Sequence, residues 1–391
     1  MRRIMKNLAR RFLTMILCLA AILMMGMCAQ ADETGLTPTV AQVTLQHAQF
    51  GMQWTMTEAS EAEVNRLVEQ INAKLMTNLC GGTSFGYDSS SGSYVRYDTP
   101  VVYQLNADFA PYLLSCVTLA QKAQEAEALY LAACNNKALT KEELTGFQYQ
   151  MECAKVSAID DAMTFSRAAD GSNHVTLRVS ARYLTAYPLD QTAAPVPYVL
   201  AGEMTTCYRG STLDRVENLK LASKALSERI VMPGESVSCS TVFKPRSSRN
   251  GYKYASVFQN GQKVDGIGGG ICQVSTTLYN ALLNAGVKVT ERHPHSMQVD
   301  YVPLGLDAAI ATGYKDLVFR NNYTQPIYLQ SEVRNADVAC RVYVAADELG
   351  NVRYRAWANQ TGKLTADTYV TKVQDGVDLE TSYVDSSRYY K

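Results

Sequence analysis

The chain has 391 residues, long enough for two domains of roughly 100–200 residues each. Its 37 Lys and Arg balance its 37 Asp and Glu, and this zero formal charge excludes the basic footprint of a nucleic-acid binder. No low-complexity tract and no repeat of about 20–50 residues is present, which excludes a solenoid.

The chain opens with MRRIMKNLARR, basic at Arg2, Arg3, Lys6, Arg10 and Arg11 and free of acids. An apolar run, FLTMILCLAAILMMGM, and Ala29-Gln30-Ala31 follow. That order reads as a signal peptide over 1–31, cleaved after Ala31. The run is short for a membrane span of about 20 apolar residues, so an anchor is the secondary reading and the only expected membrane contact. Export changes the meaning of the cysteines. Cys18 and Cys28 fall in the leader, and Cys80, Cys116, Cys134, Cys153, Cys207, Cys239, Cys272 and Cys340 remain. An even set outside the cytosol favours disulfides. None is spaced as a structural zinc site, and no cofactor or metal is expected.

Residues 32–190 read as an N-terminal domain mixing helices and strands. Alternation over 40–56 predicts a strand. Val64, Leu67, Ile71, Leu75 and Met76 predict a helix over 58–78. Residues 80–100, rich in Gly, Ser and Tyr, predict a loop or hairpin. The Ala- and Leu-rich stretch 108–166 predicts two helices broken near NNKALT, the second opened by a capping box at Thr140 and Glu143. Residues 174–187 alternate again as a strand. Three prolines across 188–203 mark a connector, with 191–203 as the linker proper. The second domain is expected over 204–348, and a polar extension over 349–391 should add a strand or two and then fray.

Within the second domain, Arg215, Asn218 and Ala222 begin a helix and Pro233-Gly234-Glu235 turns into a strand. Residues 268–275 (GGGICQVS) run into LYNA at 278–281. Arg292, His293, His295 and Ser296 follow, then YVP at 301–303 with Gly305, Asp307 and Ala308. The pattern closes with Gly313, Asp316, Leu317, Phe319 and Asn321. These motifs resemble the VanW-like family, named after an accessory gene of vancomycin-resistance operons. Thr276 departs from a serine common in that family and keeps its hydroxyl. The resemblance covers about 204–345 and leaves the N-terminal domain unmatched. It implies an exported cell-envelope protein acting on or near peptidoglycan, or a non-catalytic wall-binding accessory module; peptidoglycan or another wall component is the expected partner. The expected fold class is α+β, with a Cys-bearing helix packed on a small, mainly antiparallel sheet.

The residues themselves point to chemistry. Three glycines deliver Cys272 to the first turn of a helix, where unpaired N–H groups and the positive dipole end favour a thiolate. Val274, Leu278, Ala281 and Ala285 form its apolar stripe, with Gly286 ending it. Gln273, Thr277, Asn280 and Asn284 form a polar stripe. A thiolate nucleophile needs a base and an orienting group. His293 and His295, on one face of an extended segment, are candidate bases, and Asp307 and Asp316 candidate orienters. Gly268, Gly269, Gly270, Gln273, Ser275, Arg292, Ser296 and Tyr301 are candidate binding residues. The competing readings are a buried or disulfide-bonded Cys272, backbone-bonded histidines and packing tyrosines. Arg215, Arg292 and Lys315 could hold an acidic ligand, with surface ion pairs as the competing and favoured role. A metal held by His293, His295 and Asp307 is a minor alternative.

Overall fold

A computed structural model describes residues 41–47, 50–56, 60–136, 138–157, 163–167, 173–259 and 262–390; the expected leader at 1–31 lies outside them. Strands β1 (Ala41–His47) and β2 (Phe50–Met56) pair as an antiparallel hairpin, so the one strand expected over 40–56 is two. Helix α1 (Glu61–Leu75) buries Val64, Leu67, Ile71 and Leu75 on one face. Strands β3 (Ser84–Asp88), β4 (Ser93–Tyr97) and β5 (Val101–Leu105) follow. Helices α2 (Phe109–Asn135) and α3 (Lys141–Ser157) form the helical pair. The capping box forms: the Glu143 carboxylate accepts from the Thr140 N–H at 2.9 Å, and the Thr140 hydroxyl accepts from the Glu143 N–H at 3.3 Å. Strands β6 (Met163–Arg167), β7 (Asn173–Arg178) and β8 (Leu184–Pro188) complete this region.

Strand β9 (Val196–Cys207) stands where a linker was expected. Two of the three prolines precede it and Pro197 is its second residue, so its later N–H groups are free to pair. Helix α4 (Leu213–Leu226), strands β10 (Arg229–Val231) and β11 (Ser236–Ser238) and the single turn α5 (Cys239–Val242) come next. The hairpin β12 (Tyr254–Gln259) and β13 (Gln262–Ile267) leads into helix α6 (Ile271–Asn284). Strands β14 (Lys288–Glu291), β15 (Val318–Arg320), β16 (Ile327–Arg334) and β17 (Asp337–Ala345), the turn α7 (Ala346–Leu349), and strands β18 (Val352–Gly362), β19 (Thr365–Gln374) and β20 (Val377–Arg388) finish the chain.

The fold is α+β around an antiparallel six-stranded sheet of order β10-β16-β17-β9-β4-β3. Strand β9 pairs with β17 on one side and β4 on the other, so it joins the two expected domains within one sheet. Helix α6 packs on β9 and β17. The approach is so close that a Cβ on Gly202 would lie 2.4 Å from the Ala281 carbonyl oxygen, and only glycine leaves room. The tail does not fray: β18, β19 and β20 form a sheet of their own, and Tyr389 and Tyr390 bond back to the body.

All eight cysteines of the described residues are free thiols, which corrects the expectation of disulfides for them. Cys80, Cys116, Cys239 and Cys340 sit in apolar cores as small hydrophobes, while Cys134, Cys153 and Cys207 are exposed. No helix among the described residues is long and apolar enough to cross a membrane.

Candidate functional site

Helix α6 is buried on nearly every side, and its polar residues decide what it touches. Gln273, Thr277 and Asn284 face β9. The Gln273 amide donates to the Cys207 carbonyl at 3.0 Å, Thr277 shares a 2.7 Å bond with Thr206, and Asn284 donates to the Glu203 carbonyl at 3.1 Å. A second polar stripe, Cys272, Ser275, Thr276 and Asn280, faces the extended segment 306–310. Asn280 donates to the Leu306 carbonyl at 2.7 Å, Ser275 donates to the Ala308 carbonyl at 2.7 Å, and Thr276 accepts from the Ala308 N–H at 2.9 Å. The Ile310 N–H then donates to the Cys272 sulfur at 3.4 Å. The match is geometric. Four helical residues rise about 6 Å, close to the roughly 6.6 Å spanned by two residues of extended chain. Helix positions 272, 276 and 280 therefore meet segment positions 310, 308 and 306.

This clamp delivers Asp307. Its Oδ2 lies 2.6 Å from Nδ1 of the His295 ring and accepts from the His295 backbone N–H at 2.6 Å. With Nδ1 so engaged, Nε2 is the nitrogen left to face Cys272. Arg292 holds the other side of Asp307. Its Nη2 donates to Oδ1 at 2.9 Å and to the Gly305 carbonyl at 3.0 Å, and its Nε donates to the Asp307 carbonyl at 2.6 Å. Its Nη1 reaches Ser387 Oγ at 2.7 Å and Asp385 at 3.1 Å, and its guanidinium lies 5.4 Å from the Tyr279 ring centre. Tyr389 supplies the last bond, its hydroxyl donating to Asp307 Oδ1 at 2.5 Å and accepting from the Gly305 N–H at 2.8 Å.

The electrostatics follow from these contacts. Burial pushes the Asp307 carboxyl up, but the His295 hydrogen bond, the Arg292 charge and the Tyr389 hydroxyl outweigh it and hold Asp307 below its ordinary value. Burial works against a charged His295, yet the bonds to Asp307 and to the Cys272 sulfur push it up to about 9. Burial also raises Cys272. The hydrogen bond and charge of His295, the Ile310 N–H and the Arg246 charge together bring the thiol below its usual value. Thiolate and imidazolium thus stabilise each other. The Cys272 N–H, in the first turn of α6, finds no acceptor among the described residues and is free for an oxyanion. Tyr301 stands beside the sulfur, hydrogen-bonded to Thr276 and kept protonated by burial and the nearby thiolate.

Of the candidates read from sequence, the structure brings together Cys272, His295 and Asp307. His293 and Asp316 lie apart from them. The His293 ring pairs with Glu291 at 3.0 Å, because β14 ends at Glu291 and the two histidines do not share a strand face. Asp316 is bound by Ser238 and by the Ser240 N–H at 2.8 Å, at the start of α5. The minor metal reading loses its shared pair of imidazoles, and no metal-holding cluster occurs among the described residues. Arg292 is a buried ion pair with Asp307 instead of a surface one, its side chain 3% exposed. Gly268, Gly269 and Gly270 are hemmed in by Arg246, Ala255 and Arg215, and serve the turn: Gly270, at φ 111°, is the N-cap. Gln273 is buried against β9 and Ser275 in the clamp, and the Ser296 carbonyl accepts from the Tyr390 N–H at 2.7 Å. Tyr389, Asp385 and Arg246 went unread, since the first two lie in a polar tail and nothing local marks the third.

A buried carboxylate–imidazole pair beside a helix-start cysteine, on an antiparallel α+β scaffold, is the class of domain defined here. Residues 214–343 match the family described as VanW like protein, so the chain carries a VanW-like domain. It is similar to the uncharacterised protein YoaR of Bacillus subtilis (strain 168), 37% identical over 142 residues, 36% of this chain and 47% of that one. It is also similar to the vancomycin B-type resistance protein VanW of Enterococcus faecalis (strain ATCC 700802 / V583). There the identity is 32% over 114 residues, 28% of this chain and 42% of that one. The matches thus span less than half the length of either relative. No solved structure matches.

Proposed function

We propose that this is an exported cell-envelope protein whose Cys272 cleaves or transfers an amide-linked acyl group, with peptidoglycan stem peptides as its substrate class. The observation that carries this reading is the Cys272–His295–Asp307 run, with Asp307 fixed by Arg292 and Tyr389. A buried ion network costs free energy to assemble, and one aimed at a lone thiol is what thiolate chemistry needs. The resistance role in the name of the enterococcal relative supports the envelope setting, as does the leader read from the sequence.

In the proposed reaction the Cys272 thiolate attacks the amide carbon, forming a C–S bond. The oxyanion is held by the Cys272 N–H. On collapse the C–N bond breaks and the His295 proton passes to the departing amine. Water, deprotonated by His295, then cleaves the thioester to the free acid and restores the thiolate; an amine acceptor in place of water gives transfer. Asp307 holds the imidazole's tautomer and orientation throughout.

The test is turnover of purified peptidoglycan fragments, followed by mass spectrometry. Cys272→Ala should abolish product formation, and His295→Ala should slow it by about 10²–10⁴-fold. Undiminished turnover in Cys272→Ala overturns the reading, as does a disulfide at Cys272 in the exported protein. Cell-wall co-sedimentation without turnover, surviving Cys272→Ala, would favour the non-catalytic accessory module.

A further inference from the structure

Two arginines border the turn that delivers Cys272, and a lysine is bound next to its partner His295. The arginines are Arg215 and Arg246: Arg215 Cγ lies 3.1 Å from where a Cβ on Gly270 would sit, and Arg246 Cδ 3.0 Å from that on Gly268. The Arg246 charge acts on the Cys272 sulfur, and that of Arg215 on Tyr301 beside it. Lys315 Nζ donates to the Pro294 carbonyl at 2.6 Å, one residue before His295.

All three are half-buried, and no carboxylate of the described residues lies within ion-pair distance of any of them. Their charged ends make single bonds to neutral groups. Arg215 donates to the Gln273 side-chain oxygen at 3.0 Å, Arg246 to Thr312 at 2.5 Å and Lys315 to the Pro294 carbonyl. A guanidinium has five N–H donors, so most of this capacity is unused. The nearby acids are committed elsewhere: Asp307 to Arg292 and His295, Glu291 to His293, and Asp316 to Ser238 and Ser240. The surface ion pairs expected for Arg215 and Lys315 are therefore absent. A rim of one sign around a partly desolvated thiol attracts the opposite sign.

We infer that the substrate of this site carries a carboxylate a few bonds from the scissile carbonyl, gathered by Arg215, Arg246 and Lys315. The simplest member of that class is a peptide cut at its C-terminal bond. Attack by the thiolate forms the thioester, and the carboxylate-bearing amine leaves with the His295 proton as a free amino acid. The inference rests on the thiolate reading above and adds the substrate's charge.

Two small alkylating reagents test it on the full chain without an identified substrate. Neutral iodoacetamide and anionic iodoacetate are compared at Cys272 by peptide mass spectrometry, with glutathione as the unassisted thiol. The expected iodoacetate-to-iodoacetamide rate ratio exceeds that of glutathione by about tenfold or more at low salt and falls as salt is added. Arg215→Gln with Lys315→Gln should return it toward the glutathione value. Arg246→Gln should lower it too; any change in thiol acidity affects both reagents and cancels in the ratio. A Cys272 that reacts rapidly with iodoacetamide at the glutathione ratio, insensitive to salt, overturns the anionic substrate and leaves the nucleophile standing. A Cys272 no faster than the other thiols with either reagent overturns the nucleophile, and this inference with it. The salt titration uses the unaltered protein, so a variant that fails to fold does not decide the outcome.

Discussion

Helices α1 and α6 are nearly the same length, 15 and 14 residues, yet they are buried in different ways. Helix α1 buries one apolar face, Val64, Leu67, Ile71 and Leu75, in a core shared with Val101, Leu105, Leu113 and Leu184, and its other side is largely solvated. Helix α6 buries Gln273, Ser275, Thr276, Thr277 and Asn280 along with Val274, Leu278, Ala281 and Leu282. An apolar face is non-directional and tolerates small slips. A buried polar group must find its partner or forfeit its hydration. The polar positions of α6 therefore set register, and register is what brings segment 306–310, with Asp307, to Cys272. Apolar burial builds the N-terminal core; polar burial, concentrated around one helix, builds the site.

The largest effects should break this contrast directly. Arg292→Ala leaves Asp307 buried without its main counter-charge and should cost about 3–5 kcal/mol in urea unfolding. Leu67→Ala, in the apolar core, should cost about 2–5 kcal/mol. The two should part in chemistry, for Leu67→Ala should leave the pH profile of Cys272 alkylation in place while Arg292→Ala moves it. A displaced profile in Leu67→Ala would mean that the cores are coupled.

A smaller effect sharpens the site side. Asp307→Asn removes the charge that sustains the imidazolium, so His295 should fall, the thiol should rise, and the midpoint of Cys272 alkylation should move up by about one pH unit. The linkage has a definite sign. His295, raised to about 9 in the folded protein, adds stability that is complete below its unfolded value near pH 6.5 and is lost as pH climbs through its folded value. Asp307, held low, adds stability present above about pH 4 and lost as pH falls through its folded value. Thermal unfolding across pH should show both limbs in the parent protein; in Asp307→Asn the acid limb should lose the share of Asp307, and the alkaline limb should shrink to what the Cys272 pairing alone sustains.

The smallest effect concerns the tail. Tyr389→Phe removes one donor to Asp307 and the acceptor of the Gly305 N–H, and should cost about 1 kcal/mol. It should shift the alkylation midpoint in the same direction as Asp307→Asn, by less. An unmoved midpoint would show that Arg292 and the His295 N–H position Asp307 without Tyr389.

Local signals carried far in this chain. The capping box at Thr140 and Glu143, the apolar face of α1, the left-handed Gly286 just past the Ala285 C-cap and the delivery of Cys272 to a helix start all depend on residues a few positions apart, so spacing reveals them. Periodicity groups Asn280 with Gln273, Thr277 and Asn284, but Asn280 meets segment 306–310 beside Ser275 and Thr276, while the other three meet β9.

What spacing could not decide was which groups meet across the fold. His293 and His295 are two residues apart and equally plausible as bases; the end of β14 at Glu291 separates them, turning one ring to Glu291 and the other to Asp307. Arg292 reads as a surface cation until Asp307, Asp385 and Ser387 surround it. The prolines of 188–203 suggest a linker until β4 and β17 supply partners for β9. Tyr389 lies 82 positions from Asp307, in a tail with no marked pattern, and reaches it only because β18, β19 and β20 fold back. Element type and the cysteine's place follow from sequence because backbone periodicity and capping are local. The membership of the site follows from tertiary structure, because a buried charge is defined by the partners that long-range packing brings within hydrogen-bond distance.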